Sequence, residues 1–277
     1  MKEKITPVKA IFIALLVLYL LAMVFPLVYL VSASFMTEAD LSAIPAKLIP
    51  SSLQIRNYVT AFTRQPIVLY VLNSFITSFL SVFICLIAGC LASYSLVRTR
   101  IKGKTLFLLF VLAISLLPTI TIINPIYRMY SDAKLLNTRI GLSIISAVLD
   151  LPMTIWFLTA AFKSVPVSFE ESAEIEGAGL STILVKVYVP LLKGSIFSIG
   201  IIDFISAWNK YLLSQVLNPL EKARTVVVGL TLYQLEISIP FEIVSAASVI
   251  TIIPLFVIVL LFQKNILGGL LDGGIKE

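Results

Sequence analysis

Six long stretches with at most one charged residue constrain this chain more than any other feature of its sequence. They lie at 10–37, 65–97, 105–127, 140–162, 194–209 and 243–263. A helix needs roughly 20 apolar residues to cross the hydrocarbon core of a bilayer. Hydrophobic residues make up 59% of the chain and charged residues 13%, which excludes a soluble globular protein of 277 residues. The chain is therefore predicted to be an all-α, polytopic membrane protein.

Six transmembrane helices are predicted, within one domain that covers residues 1–277. The predicted spans are 10–31, 68–97, 105–127, 140–162, 192–213 and 243–263. The first is longer than the roughly 7–15 apolar residues of a signal-peptide core, so it is interpreted as an anchor that stays with the chain. The fifth stretch is short, and its helix is expected to extend past Lys193 or Lys210, whose ammonium group can reach the membrane surface.

Loop 98–104 decides the predicted orientation, because short basic loops remain on the cytoplasmic side of a membrane. It contains no acidic residue, and its basic residues are Arg98, Arg100, Lys102 and Lys104. The bias over the whole chain is weak. With six spans, this loop places both termini and the segment 168–190 in the cytoplasm, and the chain in the cell membrane. Basic residues that face anionic lipid headgroups account for the net charge of +6, so no nucleic acid is expected as a partner.

The segment 168–190 is charged and contains glycines, in contrast to the apolar stretches on either side. Ser168 followed by Glu171 has the spacing of a capping box. Glu170 adds negative charge to the same first helical turn, where the helix dipole favours it. A short helix is predicted to begin here, although an ordinary solvated loop is the alternative that these signals leave open.

A turn and a second helix are predicted to follow. Gly177 and Gly179 can supply a turn with positive φ, which other residues adopt at a cost. Ser181 can cap a second short helix that runs to Pro190. The segment is therefore predicted to be a cytoplasmic helix-turn-helix.

The spacing of this segment resembles the cytoplasmic EAA loop of ABC importer permeases. That pattern is Glu-Ala-Ala, three residues, Gly, nine residues, and then an apolar-x-apolar-Pro close. The matching residues are Glu171, Ser172, Ala173, Gly177, Val187, Val189 and Pro190. Ser172 is the one departure, and it replaces one small residue with another. We call residues 168–190 the EAA-like segment.

In that family the EAA loop is a coupling helix that sits in a groove of an ATPase subunit. The resemblance implies that Glu171 makes the polar contact there and that Gly177 allows the tight turn. The residues it implies in ATPase coupling are Glu170, Glu171, Ser172, Ala173, Gly177 and Ala178. The partners it implies are a second, homologous permease subunit, two ATPase subunits that bind ATP, and an extracellular or periplasmic solute-binding protein.

Further residues extend the resemblance from about residue 10 to the end of the chain, and they are similar to the carbohydrate-type permeases of the maltose-transporter kind. They are Asn57-Tyr58, Asn73-Ser74, Ser93-Tyr94, Arg98, Gly103-Lys104, Pro125-Ile126-Tyr127, Leu136-Asn137-Thr138, Pro152, Trp156, Trp208-Asn209, Thr225, Val228-Gly229-Leu230 and the tail at 273–276. Each is weak alone, and their order carries the resemblance. Lys193-Gly194 departs from it, since proline is usual there. The resemblance implies a carbohydrate substrate, a sugar or an oligosaccharide.

The chain is not expected to be an enzyme. It has no histidine, the commonest general base and metal ligand. Gly103-Lys104-Thr105 matches the end of a phosphate loop, but Arg98 occupies the position where that loop needs its first glycine. Cys85 and Cys90 lie five residues apart and point to different sides of a helix. No metal or other cofactor is expected, and ATP must bind to another chain if it drives transport.

Two aspartates lie inside predicted spans. A carboxylate at that depth costs at least about 2.5–3.5 kcal/mol, so it should face a cavity or a partner. For Asp150, two interpretations stay open, since it can line a cavity or accept an amide that Pro152 frees in the helix. Asp203 is expected to face the cavity. Both are candidate residues of the substrate path.

Trp208 and Asn209 follow Asp203 and complete the candidate substrate path. An aromatic face beside amide and carboxylate groups suits the ring and the hydroxyls of a sugar, but a tryptophan near a membrane surface can equally be an interfacial anchor. Loop 214–240 has two interpretations as well. It can dock the solute-binding protein, or it can be a solvated loop with a short helix or strand.

Two rivals to sugar import remain at this point. The first is an ABC importer for another polar solute, such as an amino acid, a phosphate ester or a metal chelate. The second is an ion-coupled secondary transporter or channel that uses Asp150 and Asp203 as its ion site. The second predicts an inverted internal repeat, and none is apparent in the sequence.

Overall fold

The computed structural model describes residues 7–234 and 240–274, and the side chains from Val8 to Gln263 outside that gap. Every regular element in these ranges is helical, which confirms the predicted all-α class. The helices are α1 (Pro7–Ala33), α2 (Glu38–Leu41), α3 (Arg56–Arg64), α4 (Ile67–Arg98), α5 (Lys104–Ser115), α6 (Thr119–Asp132), α7 (Arg139–Ser164), α8 (Ser168–Ile175), α9 (Leu180–Thr182), a π-helix (Ile183–Tyr188), α10 (Val189–Leu191), α11 (Lys193–Trp208), α12 (Tyr211–Leu217), a 3₁₀ turn (Glu221–Ala223), α13 (Val226–Thr231) and α14 (Phe241–Gly274).

Four helices, α1, α4, α7 and α14, are long and apolar enough to cross a membrane. Two bent pairs are further candidates: α5 and α6 meet at 90°, and the segment Leu180–Leu191 meets α11 at 84°. By length and composition the described chain therefore has four spans, or six if each bent pair is one span. The six predicted spans correspond to the second count.

The predicted third span, 105–127, is two helices rather than one. α5 ends at Ser115 and α6 begins at Thr119. Pro118 lies between them, has no backbone N–H to donate, and disfavours helical backbone at Leu117 before it. The helix must break there, and the sharp bend follows from that break.

The fifth span also differs from its predicted range of 192–213. α11 ends at Trp208, and α12 begins at Tyr211. Between them, Lys210 has a ψ of 70°, which lies outside the helical range. α11 therefore ends before the predicted end of the span at residue 213, and the side chain of Lys210 in the break faces Asp150 of α7.

The described residues form two compact units. The first unit runs up to Ile67 and resumes at Leu230–Ile253, and the second runs from Val68 to Gly229 and resumes at Pro254. In the first unit, no side chain in the most apolar part of α1 is buried. Such a helix presents apolar surface on all sides, to lipid or to another chain. The single domain over residues 1–277 stays a prediction.

Asp40 organises the segment between α1 and α3 in the first unit. Its carboxylate accepts hydrogen bonds from Lys47 Nζ at 2.6 Å and from Ser51 Oγ at 2.7 Å. Thr37 caps α2 by accepting the backbone N–H of Asp40 at 3.1 Å. The Lys47 ammonium and the Ser51 hydroxyl hold the pKa of Asp40 well below its usual range. The segment is therefore held by an ionised carboxylate at physiological pH.

In the second unit, α4 and α7 are joined along their length by side-chain hydrogen bonds. Ser93 Oγ donates to the carbonyl oxygen of Ile155 at 3.1 Å. Ser143 Oγ donates to the carbonyl oxygen of Thr77 at 3.1 Å. The two contacts lie near opposite ends of the helix pair, so α4 and α7 are held together at both.

The two cysteines are free thiols, as predicted. Cys85 is buried, and its Sγ lies 3.2 Å from Thr154 Oγ1 on α7. Cys90 is half-buried and packs against the core near the C-terminal end of α7. Both residues contribute to helix packing.

A polar network ties the chain before α13 to the first turns of α4. Asn73 accepts a hydrogen bond from Arg139 Nε at 2.7 Å and donates to the carbonyl oxygen of Arg224 at 2.9 Å. The backbone N–H of Val226 donates to Ser74 Oγ at 2.8 Å. These contacts join the start of α4, the start of α7 and the chain around Thr225.

Loop 214–240 is packed into the second unit over much of its described part. Asn218 is buried and donates to the carbonyl oxygens of Thr138 and Ala223, both at 3.1 Å. Residues 235–239 lie outside the described residues. A role in docking a solute-binding protein stays a prediction.

Replacing Gly229 with alanine is expected to destabilise the second unit. A Cβ at that position would lie 2.3 Å from Tyr70 Cδ2, and overpacking of this kind costs about 1–3 kcal/mol. Gly194→Ala is the control, because a Cβ there meets no described atom within 4 Å. Thermal unfolding of the purified subunit in detergent should show a lower midpoint for Gly229→Ala alone, and equal midpoints would contradict the packing argument.

Candidate functional site

The first helix of the EAA-like segment begins without the predicted capping box. α8 starts at Ser168, and Val167 occupies the N-cap position with no side-chain capping bond. The backbone N–H groups of Glu170 and Glu171 instead donate to the carbonyl oxygen of Val167, at 2.9 and 3.1 Å. The helix begins one residue earlier than the capping box requires, so Ser168 lies inside the first turn. The predicted capping box is therefore wrong.

Gly177 ends the helix in the left-handed conformation, with φ of 80°. Its N–H donates to the carbonyl oxygen of Glu174, and the N–H of Ala178 donates to that of Ala173, both at 2.9 Å. These two bonds define a Schellman motif, in which glycine is strongly preferred. Ala173 and Ala178 also pack against the buried core, where larger side chains would not fit as closely. The predicted turn at Gly177 is confirmed.

The second half of the segment departs from the prediction. Gly179 has φ of −77° and occupies the N-cap position of α9, so it supplies no positive-φ turn and Ser181 is not the cap. From Ile183 to Tyr188 the backbone is a π-helix. π-helical turns are rare and occur frequently at functional sites.

The exposed surface of α8 is acidic and has an apolar tip. Glu171, Glu174 and Glu176 are exposed, and Ile175 between them is 87% exposed. Ser172 and Gly177 are exposed as well. This surface can contact a partner that presents basic groups around an apolar depression.

Glu170 does not belong to that surface. It is only 7% exposed, and its carboxylate lies 3.1 Å from Arg98 Nε. The resemblance to the EAA loop implied a role in ATPase coupling for Glu170 together with its neighbour Glu171. Adjacent helical residues point about 100° apart, and here that difference places one glutamate inside the protein and the other outside.

A cavity of about 670 Å³ lies in the second unit, beside the bend between α5 and α6. Its polar lining comes from Ser115, Thr119, Asp150, Asn209 and Lys210. The rest of its wall is mostly apolar: Ile114, Leu117, Ile122, Val148, Leu149, Pro152, Tyr211, Leu212 and Leu213. Residues at both helix breaks described above therefore line this cavity.

Asp150 and Lys210 form an ion pair in the cavity wall. Lys210 Nζ donates to Asp150 Oδ1 at 2.7 Å, and Ser206 Oγ donates to the same oxygen at 2.9 Å. The two charged side chains are 12% and 14% exposed. Asp150 Oδ2 is buried and has no hydrogen-bond partner among the described residues. Asp150 therefore lines a cavity, and its carboxylate is bonded to α11 and Lys210 rather than to the backbone near Pro152.

Sequence reasoning missed Lys210, which was interpreted as a lysine that reaches the membrane surface. The signal that could have found it is the cost of an unpaired carboxylate at Asp150. Lys210 directly follows the stretch 194–209, which is the other stretch that contains an aspartate. It was therefore a candidate partner for the Asp150 carboxylate. The break after Trp208 is what brings the two residues together.

Asp203 and Trp208 lie away from the cavity, so their expected place in the substrate path is not supported. Asp203 is 2% exposed, and Thr154 Oγ1 donates to its Oδ2 at 2.8 Å. Trp208 is 1% exposed, and its ring lies 5.8 Å from that of Phe204. Both side chains point into the helix packing. Asn209, which follows the last residue of α11, lines the cavity, and its place in the substrate path stays a prediction.

Replacing Asp203 with asparagine is expected to lower the yield of folded protein, while each folded molecule transports normally. The amide keeps one acceptor for Thr154 but adds two buried donors, and an unsatisfied buried donor costs about 1–3 kcal/mol. Yield after membrane extraction and transport per purified molecule are the two measurements. Normal yield with impaired transport would place Asp203 in the substrate path after all.

Comparison with known proteins identifies the family of the chain. Residues 85–270 match the family described as "Binding-protein-dependent transport system inner membrane component". The chain belongs to this family. The matched range includes the EAA-like segment and every residue that lines the cavity. Members of this family are transport subunits of the inner membrane, so this permease is a multi-pass membrane protein and a transport subunit rather than an enzyme.

Relatives of this permease resemble it over most of its length. It is 35% identical to a sulfoquinovosyl glycerol transport system permease protein of Agrobacterium fabrum, over 91% of this chain and 88% of that protein. It is 31% identical to a trehalose/maltose transport system permease protein of Thermococcus litoralis, over 91% of each. A chain in the crystal structure of a bacterial ABC transporter involved in the import of the acidic polysaccharide alginate matches with a TM-score of 0.78 and 25% identity, over 95% of this chain and 99% of that one.

Proposed function

We propose that this permease forms half of the translocation path of an ABC importer for a sugar or an oligosaccharide. The cavity beside Asp150 is the observation that carries this proposal. It sets a carboxylate, an ammonium group and the amide of Asn209 beside an apolar wall. Such a mixture suits the hydroxyl groups and the C–H faces of a sugar. The relatives named for sulfoquinovosyl glycerol and for trehalose and maltose support the same substrate class.

The proposed partners are a second permease subunit, two ATPase subunits and a solute-binding protein. The acidic surface of α8, with Ile175 at its tip, suits a groove of basic and apolar character on an ATPase. The exposed surface of α1 suits packing against lipid or the second permease. ATP would bind and be hydrolysed on the ATPase subunits, and this chain would respond to their closure through the EAA-like segment.

The proposed orientation places the EAA-like segment and both termini in the cytoplasm. The four basic residues of loop 98–104 support it, because they favour the cytoplasmic side. Residues 1–6 and 275–277 lie outside the described residues. Labelling of single cysteines with a membrane-impermeant reagent tests the orientation. A cysteine at Glu174 should react only in inside-out vesicles, and reaction in intact cells would contradict it.

The central experiment is to purify the chain with its associated subunits and to screen saccharides for stimulation of ATP hydrolysis. Stimulation by one sugar class, inhibited by vanadate, is the expected result. The first alternative, import of another polar solute, predicts stimulation by an amino acid, a phosphate ester or a metal chelate instead. Stimulation by no saccharide together with stimulation by such a solute would overturn the sugar assignment.

The ion-coupled alternative is disfavoured by the structure and by the family. Asp150 is paired with Lys210, and Asp203 is buried beside Thr154. Transport that persists under vanadate and stops with an uncoupler would restore this alternative.

Glu171→Ala is expected to weaken ATPase docking without destabilising the permease, because the structure shows no capping bond that the mutation would remove. An exposed charge contact is worth about 0.2–1 kcal/mol, so docking should weaken by about fivefold or less. Binding of the ATPase to the reconstituted permease is the measurement, and Glu221→Gln, an exposed change elsewhere, is the control. If Glu171→Gln binds as tightly as the wild type, the charged contact is not needed.

A further inference from the structure

A buried charged cluster connects the EAA-like segment to the end of α4. We call Tyr94, Arg98, Glu170 and Tyr188 the buried cluster. Arg98 Nε lies 3.1 Å from Glu170 Oε2, and Tyr188 OH donates to the same oxygen at 2.6 Å. Tyr94 OH donates to Glu170 Oε1. Arg98 Nε also donates to Tyr188 OH at 2.6 Å. Both carboxylate oxygens and the Tyr188 hydroxyl are thereby satisfied.

Aromatic packing keeps water away from this cluster. The Arg98 and Glu170 side chains are 11% and 9% exposed, and Tyr188 is 1% exposed. The Phe162 ring lies 5.0 Å from that of Tyr188 and 6.3 Å from that of Tyr94. The cost of removing two charges from water can exceed their mutual attraction, so a buried ion pair is weak evidence of a stabilising role. A role in fixing geometry accounts better for its presence.

The cluster joins three helical elements of the second unit and the residue that follows a fourth. Tyr94 and Arg98 lie at the end of α4, Glu170 lies on α8, and Tyr188 ends the π-helix. Arg98 Nη2 also donates to the carbonyl oxygen of Val165, directly after α7, at 2.7 Å. Charge-assisted hydrogen bonds are roughly twice as strong as neutral ones. The EAA-like segment therefore cannot move relative to α4 without breaking several strong bonds.

α4 extends this connection across the membrane. It has 32 residues, and a helix of that length spans about 48 Å. Its bonds to α7, from Ser93 to Ile155 and from Ser143 to Thr77, make the two helices one packed pair. α7 carries Asp150 into the cavity wall. A displacement at α8 thus has a continuous path of hydrogen-bonded contacts to the cavity.

We propose that the buried cluster is a positioning device that makes the EAA-like segment and the α4–α7 pair move as one body. Glu170 would hold the segment in place from inside, while Glu171 faces the partner. The proposal rests on the proposed function, since it takes ATPase motion as the source of the displacement. The rigid connection between α8 and α4 is a property of this chain by itself and can be measured without transport.

Spin-label distances test the rigid connection directly. Labels at Ser168 on α8 and at Thr99 after α4, both exposed, are placed in a background with Cys85 and Cys90 replaced by serine. The assembled transporter should give one narrow distance distribution, unchanged by ATP. Tyr188→Phe removes one donor and one acceptor from the cluster, and it should broaden that distribution. Tyr130→Phe, which loses a bond to the carbonyl oxygen of Gly141 at 3.1 Å, is the matched control and should not.

The ratio of solute-stimulated to basal ATP hydrolysis is the second readout. Tyr188→Phe should lower this ratio by about fivefold or more, the lower end of coupling between linked sites, and Tyr130→Phe should leave it unchanged. Tyr94→Phe provides the same test if Tyr188→Phe does not assemble. A broad wild-type distribution, or a Tyr188→Phe distribution and ratio equal to wild type, overturns the proposal. A wild-type transporter that no saccharide stimulates contradicts the sugar import instead, and leaves the distance result valid.

Discussion

Asp150→Asn should cause the largest loss among the substitutions considered, in both stability and transport. The change leaves Lys210 as an unpaired cation in the cavity wall, and removal of one partner from a buried ion pair costs about 3–5 kcal/mol. Lys210→Gln should have a similar effect, because it leaves the carboxylate unpaired. Thermal unfolding of the purified complex and solute uptake into proteoliposomes are the measurements.

The double variant Asp150→Asn, Lys210→Gln separates the two roles of the pair. It removes both charges, so most of the lost stability should return, since residues in direct contact are strongly coupled. Transport should stay low if the pair contacts the solute in the path. Asp132→Asn, a change at an exposed carboxylate on α6, is the control. Wild-type uptake by the stable double variant would show that the pair is structural only.

Gly177→Val should uncouple ATP hydrolysis from the solute and leave membrane insertion intact. The residue has φ of 80°, and forcing a left-handed conformation on other residues costs about 1–2 kcal/mol. A Cβ at Gly177 meets no described atom within 4 Å, so the effect is one of backbone conformation rather than of packing. The Schellman bonds should then break, and the exposed surface of α8 should lose its orientation.

Gly179→Val is a close control for this prediction. Gly179 has an extended backbone with φ of −77°, and a Cβ there also meets no described atom within 4 Å. Solute-stimulated ATP hydrolysis should fall in the Gly177 variant and be nearly normal in the Gly179 variant. Equal activities in both variants would show that the turn at Gly177 does not control coupling.

Local signals in the sequence predicted those features that depend on neighbouring residues alone. The apolar stretches predicted the helices, and the spacing around Gly177 predicted the positive-φ turn. The capping box failed for a local reason as well, because the helix starts one residue before the pattern allows. Pro118, which separates α5 from α6, is visible in the sequence, but the third span was predicted from the length of the apolar stretch alone.

Residues whose environment comes from distant parts of the chain were harder to place. The membrane cost of a carboxylate requires a polar partner for Asp150 and Asp203 but does not specify which one. Lys210 and Thr154 became those partners through helix packing. Trp208 is buried because it is on the packed face of α11, and a single sequence does not fix the rotation of a helix about its axis. The burial of Glu170 has the same origin.

The π-helix from Ile183 to Tyr188 gives the spacing within the EAA-like segment a physical meaning. A π-helical turn takes up more residues than an α-helical turn. If the same residues formed regular α-helix, the end of this segment would be rotated by about 100° relative to its start. Tyr188 could then no longer face Glu170 while Gly177 kept its place at the turn. The direction of Tyr188 therefore depends on the π-helical geometry as well as on the nine residues between Gly177 and Val187.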